Sequence, residues 1–274
     1  MSMSNKANKI LDYFGKAHSG FIHARGRAST QKIIELLNCQ PGEKILEIGF
    51  GTGTTLALLA ALHPRTSFYG YEQSAIMFQT ARRRLQFSGL LRNTELSLLE
   101  KEQPIARQDS EFDKIYLESV LAIQEENKLQ KTLANIKMLL KPGGELIFNE
   151  TIWLDTTSKE VAQSINETCK SSFGIIQANH TYLHLSHWKK LLNSLGFAVS
   201  EQYRVDDLQN NPRFFSQNRQ AALSELFSLT GKVKSKLNGR MRKEWTDYQN
   251  KMDSLFEGHG RVMEGIILKA TTER

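Results

Sequence analysis

Cysteines and long apolar runs are scarce in this sequence. Cys39 and Cys169 are the only cysteines and are too far apart for a Cys-x-x-Cys motif, so neither a disulfide framework nor a zinc cluster is supported. No run approaches the roughly 20 apolar residues that a membrane-spanning helix needs. Residues 1–10 also lack an apolar signal region. We therefore expect a cytoplasmic protein without a membrane span.

The overall composition is that of a folded globular protein. Hydrophobic residues make up 40% of the 274 residues and charged residues 24%, which is ordinary for a folded domain and argues against disorder. The length suits one enlarged domain better than two full ones. The formal net charge of +7 is compatible with an anionic partner such as nucleic acid, but a surplus of this size also occurs on proteins that bind none.

Short apolar segments alternate with helical patterns along most of the chain. Strands are predicted over residues 44–49, 67–71, 96–99, 112–117, 145–148, 197–203 and 263–270, the last of them as a terminal edge strand. Intervening stretches carry apolar residues at helical spacing, for example Leu129, Leu133 and Ile136. The alternation predicts a Rossmann-like α/β fold, with a mostly parallel sheet and helices on both faces.

Three segments fall outside this alternation and are predicted to form a helical cap: residues 1–27, 151–186 and 206–261. Ligands of an open parallel sheet bind beyond the carboxyl ends of the strands, where inserted segments can close over them. We therefore expect an N-terminal cap segment (1–27) and a core (28–205) that contains the cap insertion 151–186. Residues 206–274 would supply a helical insertion and the final edge strand of the same domain.

A glycine-rich turn follows the first predicted strand. In Glu47-Ile-Gly49-Phe-Gly51-Thr-Gly53 the glycines permit a tight turn and a close approach of the backbone to a ligand. A dinucleotide fingerprint places its third glycine three residues after the second, where this chain has Thr54. A nicotinamide-dependent oxidoreductase is therefore disfavoured.

An acidic residue, Glu72, ends the second predicted strand. A carboxylate there can accept hydrogen bonds from both hydroxyls of a ribose, which indicates a nucleoside ligand. The alternative is that Glu72 only caps the helix that begins near Ser74. The glycine turn upstream favours the nucleoside interpretation.

Together these features resemble the class I S-adenosylmethionine-dependent methyltransferases. The resemblance rests on residues 47–53, 70–72, 112–118 and 140–144, and on their joint order and spacing. It implies a seven-stranded sheet with an antiparallel last strand, S-adenosyl-L-methionine as cofactor, and methyl transfer. A small-molecule acceptor is expected, because the Asn/Asp-Pro-Pro-aromatic segment of base-amino methyltransferases is missing after the fourth strand.

The resemblance also implies where the cofactor binds. Residues 47–53 would border its methionine part and Glu72 its ribose, while Glu100 stands one place from the aspartate that often contacts the adenine. The predicted cofactor-binding residues are Glu47, Gly49, Gly51, Thr52, Gly53, Glu72, Gln73, Glu100, Glu118 and Ser119.

Four side chains are candidates for catalysis. Methyl transfer is an in-line displacement, so positioning and desolvation carry much of the rate, and only some acceptors need a general base. Glu118 and Glu150 follow the fourth and fifth strands, while Tyr13 and His18 lie near a stretch that resembles the loop these enzymes place over the cofactor. Small-molecule C-methyltransferases of the sterol and tocopherol kind carry an E-x-x-x-H segment here, but Ala122 replaces its histidine. Glu118 therefore keeps both a catalytic and a structural interpretation.

A basic helix is predicted in the last third of the chain. From Val233 to Leu255 apolar residues recur in steps of four and three, and six of the twelve residues 232–243 are Lys or Arg. Such a face can bind RNA, anionic lipid or an acidic partner, but a helix packed on the domain is favoured. Methyl transfer to RNA or protein, or a non-catalytic binding module, stays an alternative. Either a monomer or a homodimer is expected.

Three histidines, His180, His184 and His187, recur at gaps that superficially suggest a metal. No cysteine or acid joins them, so no metal site is predicted.

Overall fold

The structure is a computed structural model that describes residues 3–23, 26–100, 103–215 and 218–273, with side chains from residue 10 onward. Within these residues the chain forms one seven-stranded sheet in the order β3-β2-β1-β4-β5-β7-β6. Its strands are β1 (Lys44–Ile48), β2 (Ser67–Glu72), β3 (Thr94–Leu98), β4 (Phe112–Glu118), β5 (Leu140–Trp153), β6 (Phe197–Arg204) and β7 (Met263–Thr272). All pairs are parallel except those of β7, which runs antiparallel to β5 and β6. The predicted fold class is confirmed.

Helices occupy most of the sequence between the strands. They are α1 (Met3–Lys16), α2 (Arg27–Leu37), α3 (Thr54–Leu62), α4 (Ala75–Ser88), α5 (Glu126–Leu139), α6 (Lys159–Phe173), α7 (Leu185–Ser194), α8 (Arg219–Leu237) and α9 (Gly239–Leu255). Four of them begin at a polar side chain that accepts backbone N–H groups of the first turn, namely Ser74, Ser158, Asn218 and Asn238.

The core forms two apolar layers, one on each face of the sheet. Successive side chains of a strand point to opposite faces, so Ile115 and Leu117 of β4 join one layer while Tyr116 joins the other. The first layer includes α5 and α7, through residues such as Leu133 and Trp188. The second includes α2 and α3. The central strands β1, β4 and β5 are therefore covered on both faces.

The last strand corrects one expectation. β7 was expected at the edge, but it lies between β5 and β6, where Ile267 is the register partner of both Asn149 and Tyr203. Its consecutive residues Ile266, Ile267 and Leu268 are all buried, as an interior strand requires. β6 alternates between exposed and less exposed residues along most of its length and forms the edge instead.

The basic helix is also not continuous. α8 ends at Leu237 and α9 begins at Gly239, and the Asn238 side chain between them accepts the N–H of Met241 at 3.1 Å. An asparagine in extended backbone that caps the following helix starts a new helix instead of continuing the old one. The predicted single apolar stripe is therefore divided between two helices with different neighbours.

The segments outside the α/β alternation lie together. α1 contacts α4 and α6, α8 packs on α3 and α4, and α9 contacts α1, α6 and α8. The predicted cap segments 1–27, 151–186 and 206–261 supply α1, α6, α8 and α9, while their boundaries stay predictions. In the described part of the chain, no helix has the length and apolar character needed to cross a membrane. The cytoplasmic location stays a prediction.

Candidate active site

The turn between β1 and α3 holds its three glycines in left-handed backbone. The φ angles are +75° at Gly49, +53° at Gly51 and +72° at Gly53. A Cβ at Gly49 would lie 2.5 Å from Val120 Cγ2, and one at Gly53 would lie 2.7 Å from the Ala81 Cβ. Both positions therefore exclude a side chain by conformation and by contact. At Gly51 the nearest atom would be Met77 Sδ at 3.7 Å, so this part of the turn is less crowded.

Glu72 contacts this turn directly. One carboxylate oxygen accepts the N–H of Gly51 and the other the N–H of Ser74, each at 2.8 Å. Burial raises the pKa of Glu72, and the backbone N–H donors act in the opposite direction. Each carboxylate oxygen has a further lone pair, so Glu72 can still accept hydrogen bonds from a ligand beside the turn.

The other residues predicted on the nucleoside side are exposed. Gln73 follows Glu72 at the surface, and Glu100 lies beyond β3, where it accepts a hydrogen bond from Gln103 Nε2 at 2.9 Å. Leu99 lies nearer to the turn, since its N–H donates to the backbone oxygen of Glu72 at 2.8 Å. The roles of Gln73 and Glu100 stay predictions.

Beneath the turn lies a buried polar cluster. Tyr116 Oη donates to Glu47 Oε2 at 2.6 Å, and Thr55 Oγ1 donates to Glu118 Oε1 at 2.6 Å. Burial, together with the nearby carboxylates of Glu118 and Glu72, raises the pKa of Glu47 well above its usual range. This shift favours the neutral form of Glu47, which reduces its repulsion with the nearby Glu118 carboxylate.

The second oxygen of Glu118 pairs with His23, which sequence reasoning did not select. His23 Nε2 lies 3.0 Å from Glu118 Oε2, 2.9 Å from the backbone oxygen of Gly26 and 3.0 Å from Thr30 Oγ1. Burial alone would lower the pKa of His23, but the Glu118 carboxylate raises it above the usual value. Burial alone would raise the pKa of Glu118, but His23 together with hydrogen bonds from Thr55 and Asn149 lowers it below the usual value. The two side chains form a buried ion pair.

Glu150 has a different environment from the one expected for a carboxylate facing a reaction chamber. It is 1% exposed and accepts the N–H groups of Val120 at 2.8 Å, Leu121 at 2.7 Å and Ala122 at 3.1 Å. Burial raises its pKa to about 7. Glu150 thus fixes the loop after β4, in which Ser119 adopts a left-handed φ of +57°.

The structure places Tyr13 and His18 in contacts with the cap. The Tyr13 ring stacks on Trp245 of α9 at 5.5 Å, and burial raises its pKa. The His18 ring stacks on Phe227 of α8 at 4.4 Å, its Nδ1 lies 3.1 Å from Thr230 Oγ1, and burial lowers its pKa. Both side chains thus join the N-terminal segment to the cap, and their catalytic roles stay predictions.

A buried cation, Arg84 of α4, joins the glycine turn to the cap. Its Nε donates to the backbone oxygen of Thr52 at 2.8 Å, Nη1 to that of Ser224 at 2.6 Å and Nη2 to that of His18 at 3.2 Å. Arg84 is fully buried, and burial lowers its pKa to about 9. Sequence reasoning gave no signal for this residue, because its partners come from three distant segments.

The three clustered histidines have separate surroundings. His180 Nδ1 lies 3.2 Å from Asn166 Nδ2, and the rings of His184 and His187 are 5.2 Å apart. Among the residues that the structure describes, no group of three or more His, Cys, Asp or Glu side chains is arranged to hold a metal ion.

The glycine turn, Glu72 and Glu118 all fall within one family match. Residues 46–146 match the family described as "Methyltransferase domain". This segment is similar to methyltransferase domains, as the resemblance to class I S-adenosylmethionine-dependent methyltransferases implied, and the match supports the predicted enzyme class and cofactor.

Curated relatives extend the similarity beyond that domain. An uncharacterized methyltransferase, YodH of Bacillus subtilis, is 29% identical over 74% of this chain and 80% of its own length. A malonyl-[acyl-carrier protein] O-methyltransferase of Paenibacillus is 27% identical over 77% of this chain and 78% of its own length. The highly reducing polyketide synthase acrA of Aspergillus aculeatus is 33% identical over 53% of this chain, which spans only 6% of that synthase.

Solved structures share the fold. A methyltransferase of Geobacter sulfurreducens in complex with S-adenosyl-L-homocysteine superposes with a TM-score of 0.60 at 16% identity, covering 96% of this chain and 98% of that one. The [4+2]-cyclase SpnF superposes with a TM-score of 0.66 at 15% identity, covering 97% and 94%. Since a cyclase shares the fold, the fold alone does not define the reaction.

Proposed function

We propose that this chain transfers the methyl group of S-adenosylmethionine to a small-molecule acceptor. The observation that carries the proposal is the contact between the Glu72 carboxylate and the Gly51 N–H at 2.8 Å, beside three left-handed glycines. In the proposal, Glu72 would accept hydrogen bonds from the ribose hydroxyls, and the partly exposed main chain of Gly49 and Gly51 would border the rest of the adenosyl ligand. The residues present therefore fit the cofactor.

Each part of the cofactor has a proposed site. Glu47, Gly49, Gly51, Thr52 and Gly53 would border the methionine part. Glu72 and Gln73 would hold the ribose, Glu100 the adenine, and Glu118 and Ser119 the region in front of the sulfur. When bound, the cofactor supplies an electrophilic methyl group.

We assign Glu118 mainly to positioning. Its two oxygens are already engaged by Thr55 and His23, so it holds the segment between α1 and α2 against the end of β4. That segment also covers the turn, because Thr52 Oγ1 donates to the backbone oxygen of Ser19. Closing this segment would exclude water from the methyl group, and positioning plus desolvation carries much of such a reaction.

Within the small-molecule class, we propose acyl groups as the acceptor. The chain spans most of a relative that acts on malonyl-[acyl-carrier protein], and it matches segments of several polyketide synthases. These relatives support the class but not an individual acyl group.

The test of the cofactor site is a calorimetric titration with S-adenosylhomocysteine. The wild type is expected to bind at micromolar concentration. Glu72→Ala should bind about 10- to 100-fold more weakly, because it loses hydrogen bonds to a charged acceptor. Glu167→Ala, which removes an exposed carboxylate on α6, is the matched control and should bind normally. Absence of binding to the wild type would reject the proposal.

The test of the reaction is a screen that measures S-adenosylhomocysteine formed with free, coenzyme A-linked and carrier-linked acyl groups. Product with acyl acceptors supports the proposed class. Product with RNA or protein alone would replace it by the alternative expected from the basic helix.

A further inference from the structure

Helix α8 has two apolar faces, and only one of them is buried. Ala221, Ser224, Phe227 and Gly231 are buried, on the helix that packs against α3 and α4. Four aliphatic residues on the other face are exposed, and we call them the outer stripe: Leu226 (47% exposed), Leu229 (51%), Val233 (56%) and Leu237 (81%). Their spacing of three, four and four residues places them in one line along the helix. Such a contiguous exposed apolar line marks an interaction surface.

The charges beside the C-terminal part of the outer stripe are positive, and Glu225, one turn before Leu229, is paired with Arg27. Lys232, Lys234 and Lys236 are exposed on the same half of α8, and the sequence from residue 226 to residue 237 contains no Asp or Glu. Arg242 and Lys243 follow at the exposed start of α9. A partner that binds this surface must therefore carry negatively charged side chains on either side of the apolar residues that pack on the outer stripe.

Three kinds of partner can be compared. A second copy in a symmetric contact would bring the same lysines, and the one acid of α8, Glu225, is already paired with Arg27, so like charges would meet. Helices that lie in a membrane surface commonly add Trp or Phe to the apolar face, whereas the outer stripe is a narrow line of Leu and Val. A narrow aliphatic line is the geometry of helix-on-helix packing. An acidic helix therefore fits best.

Helix α8 also contacts the segment near the proposed reaction site, through residues outside the outer stripe. On α8, Thr230 contacts the His18 ring, and a Cβ added to Gly20 would lie 3.1 Å from Ser228 Oγ. His18 and Gly20 belong to the segment that covers the glycine turn. A protein docked on the outer stripe would therefore bind a helix whose other residues contact the segment proposed to cover the cofactor.

We propose that the outer stripe and its lysines dock an acidic helical protein that carries the acceptor, an acyl carrier protein. This inference rests on the proposed function, in which the acceptor is an acyl group. The carrier's acidic helix would pack on Leu229 and Val233, and its carboxylates would pair with Lys232, Lys234 and Lys236.

The experiment is a fluorescence-anisotropy titration of labelled, purified malonyl-acyl carrier protein with the full chain. The wild type should bind at micromolar concentration, in the range of a small transient interface. Leu229→Gln and Lys234→Glu should each weaken binding about tenfold. Met138→Gln and Lys128→Glu, on an exposed face of α5, are the matched controls and should bind as the wild type does.

A parallel titration with S-adenosylhomocysteine distinguishes failure of the docking site from failure of the proposed function. All four variants should keep wild-type cofactor affinity, which also shows that they are folded. No carrier binding by a chain that binds the cofactor would overturn the docking site and leave the proposed function standing. Carrier binding by a chain that does not bind the cofactor would support the docking site while the proposed function fails.

Two further results would overturn the docking site in favour of another occupant. One is Leu229-dependent sedimentation with phosphatidylglycerol vesicles and no carrier binding. The other is self-association in ultracentrifugation that Leu229→Gln abolishes, again without carrier binding.

Discussion

The carboxylate of Glu118 lies 3.0 Å from Nε2 of His23, with side chains only 5% and 7% exposed. Glu118 ends β4, whereas His23 lies in the segment between α1 and α2. The pair therefore fastens a segment of the N-terminal region to the edge of the sheet where the cofactor is proposed. Removing one partner of a buried ion pair leaves an uncompensated charge, so the effect of a substitution exceeds that of losing one contact.

Glu118→Gln is expected to lower kcat by about 10- to 100-fold and to leave the affinity for S-adenosylhomocysteine nearly unchanged. Glutamine can still accept the Thr55 hydrogen bond, but it lacks the charge that holds His23 in place. The measurement is steady-state methyl transfer to the acceptor found by the screen, beside a calorimetric titration. His23→Gln should act in the same direction, and the double variant should lose little more than either single one. Wild-type kcat in Glu118→Gln would remove Glu118 from the site.

The same pair predicts a dependence of stability on pH. The pKa of His23 is raised, so its contribution is complete below about pH 6.5 and is lost as the pH rises through the raised value. The pKa of Glu118 is lowered, so its contribution is complete above about pH 4.5 and is lost as the pH falls through the lowered value. The pair is thus most stabilising between these limits.

Urea unfolding of the wild type and of His23→Gln checks this dependence. The difference in the free energy of unfolding between the two proteins should be largest near pH 6 and should shrink toward pH 9. A difference that stays constant over this range would show that His23 is not charged in the folded protein.

The glycine turn predicts unequal effects of alanine at two left-handed positions. Gly53→Ala forces a Cβ to 2.7 Å from the Ala81 Cβ, whereas Gly42→Ala, at φ +87°, meets no atom within 4 Å. Gly42→Ala should therefore cost only the backbone strain, about 1–2 kcal/mol in the free energy of unfolding. Gly53→Ala should cost more and should also weaken S-adenosylhomocysteine binding. Equal losses in the two variants would show that contact with α4 does not constrain the turn.

The parts of the site that the sequence predicted correctly are formed by residues close together in the chain. The β1 turn and the acid at the end of β2 are each encoded within a few residues, so their positions followed from strand and turn patterns. The interior position of β7 carried a readable signal, because Gly265-Ile-Ile-Leu268 is apolar at consecutive positions whereas β6 alternates. We expected an edge strand from chain order alone, and burial on both faces is the reason that this was wrong.

What the sequence did not predict depends on contacts between distant segments. His23 meets Glu118 only after the segment that follows α1 folds across the end of β4, and no spacing rule relates the two. Glu150 was expected just after the fifth strand but lies within β5, where three backbone N–H groups donate to its carboxylate, and its catalytic role stays a prediction. An acidic residue predicted to follow a strand can therefore either fix a loop or take part in catalysis. Only the groups that surround its side chain in the structure distinguish these two roles.

Arg84 gives the sharpest test of how the cap is coupled to the cofactor turn. Its guanidinium donates to backbone oxygens of the turn, of the N-terminal segment and of α8. Arg84→Met would leave those buried acceptors without their donors, at about 1–3 kcal/mol for each unsatisfied group. We expect a loss of several kcal/mol in the free energy of unfolding, and faster proteolysis within α8 and α9 than in the sheet. Arg82→Met removes an exposed arginine from the same helix and should change neither quantity.

Saturating S-adenosylhomocysteine should slow the proteolysis of α8 and α9 in the wild type, because a ligand on the turn stabilises the residues that Arg84 joins to it. If the ligand protected the cap of Arg84→Met as well as it protects the wild type, the coupling would run through other contacts.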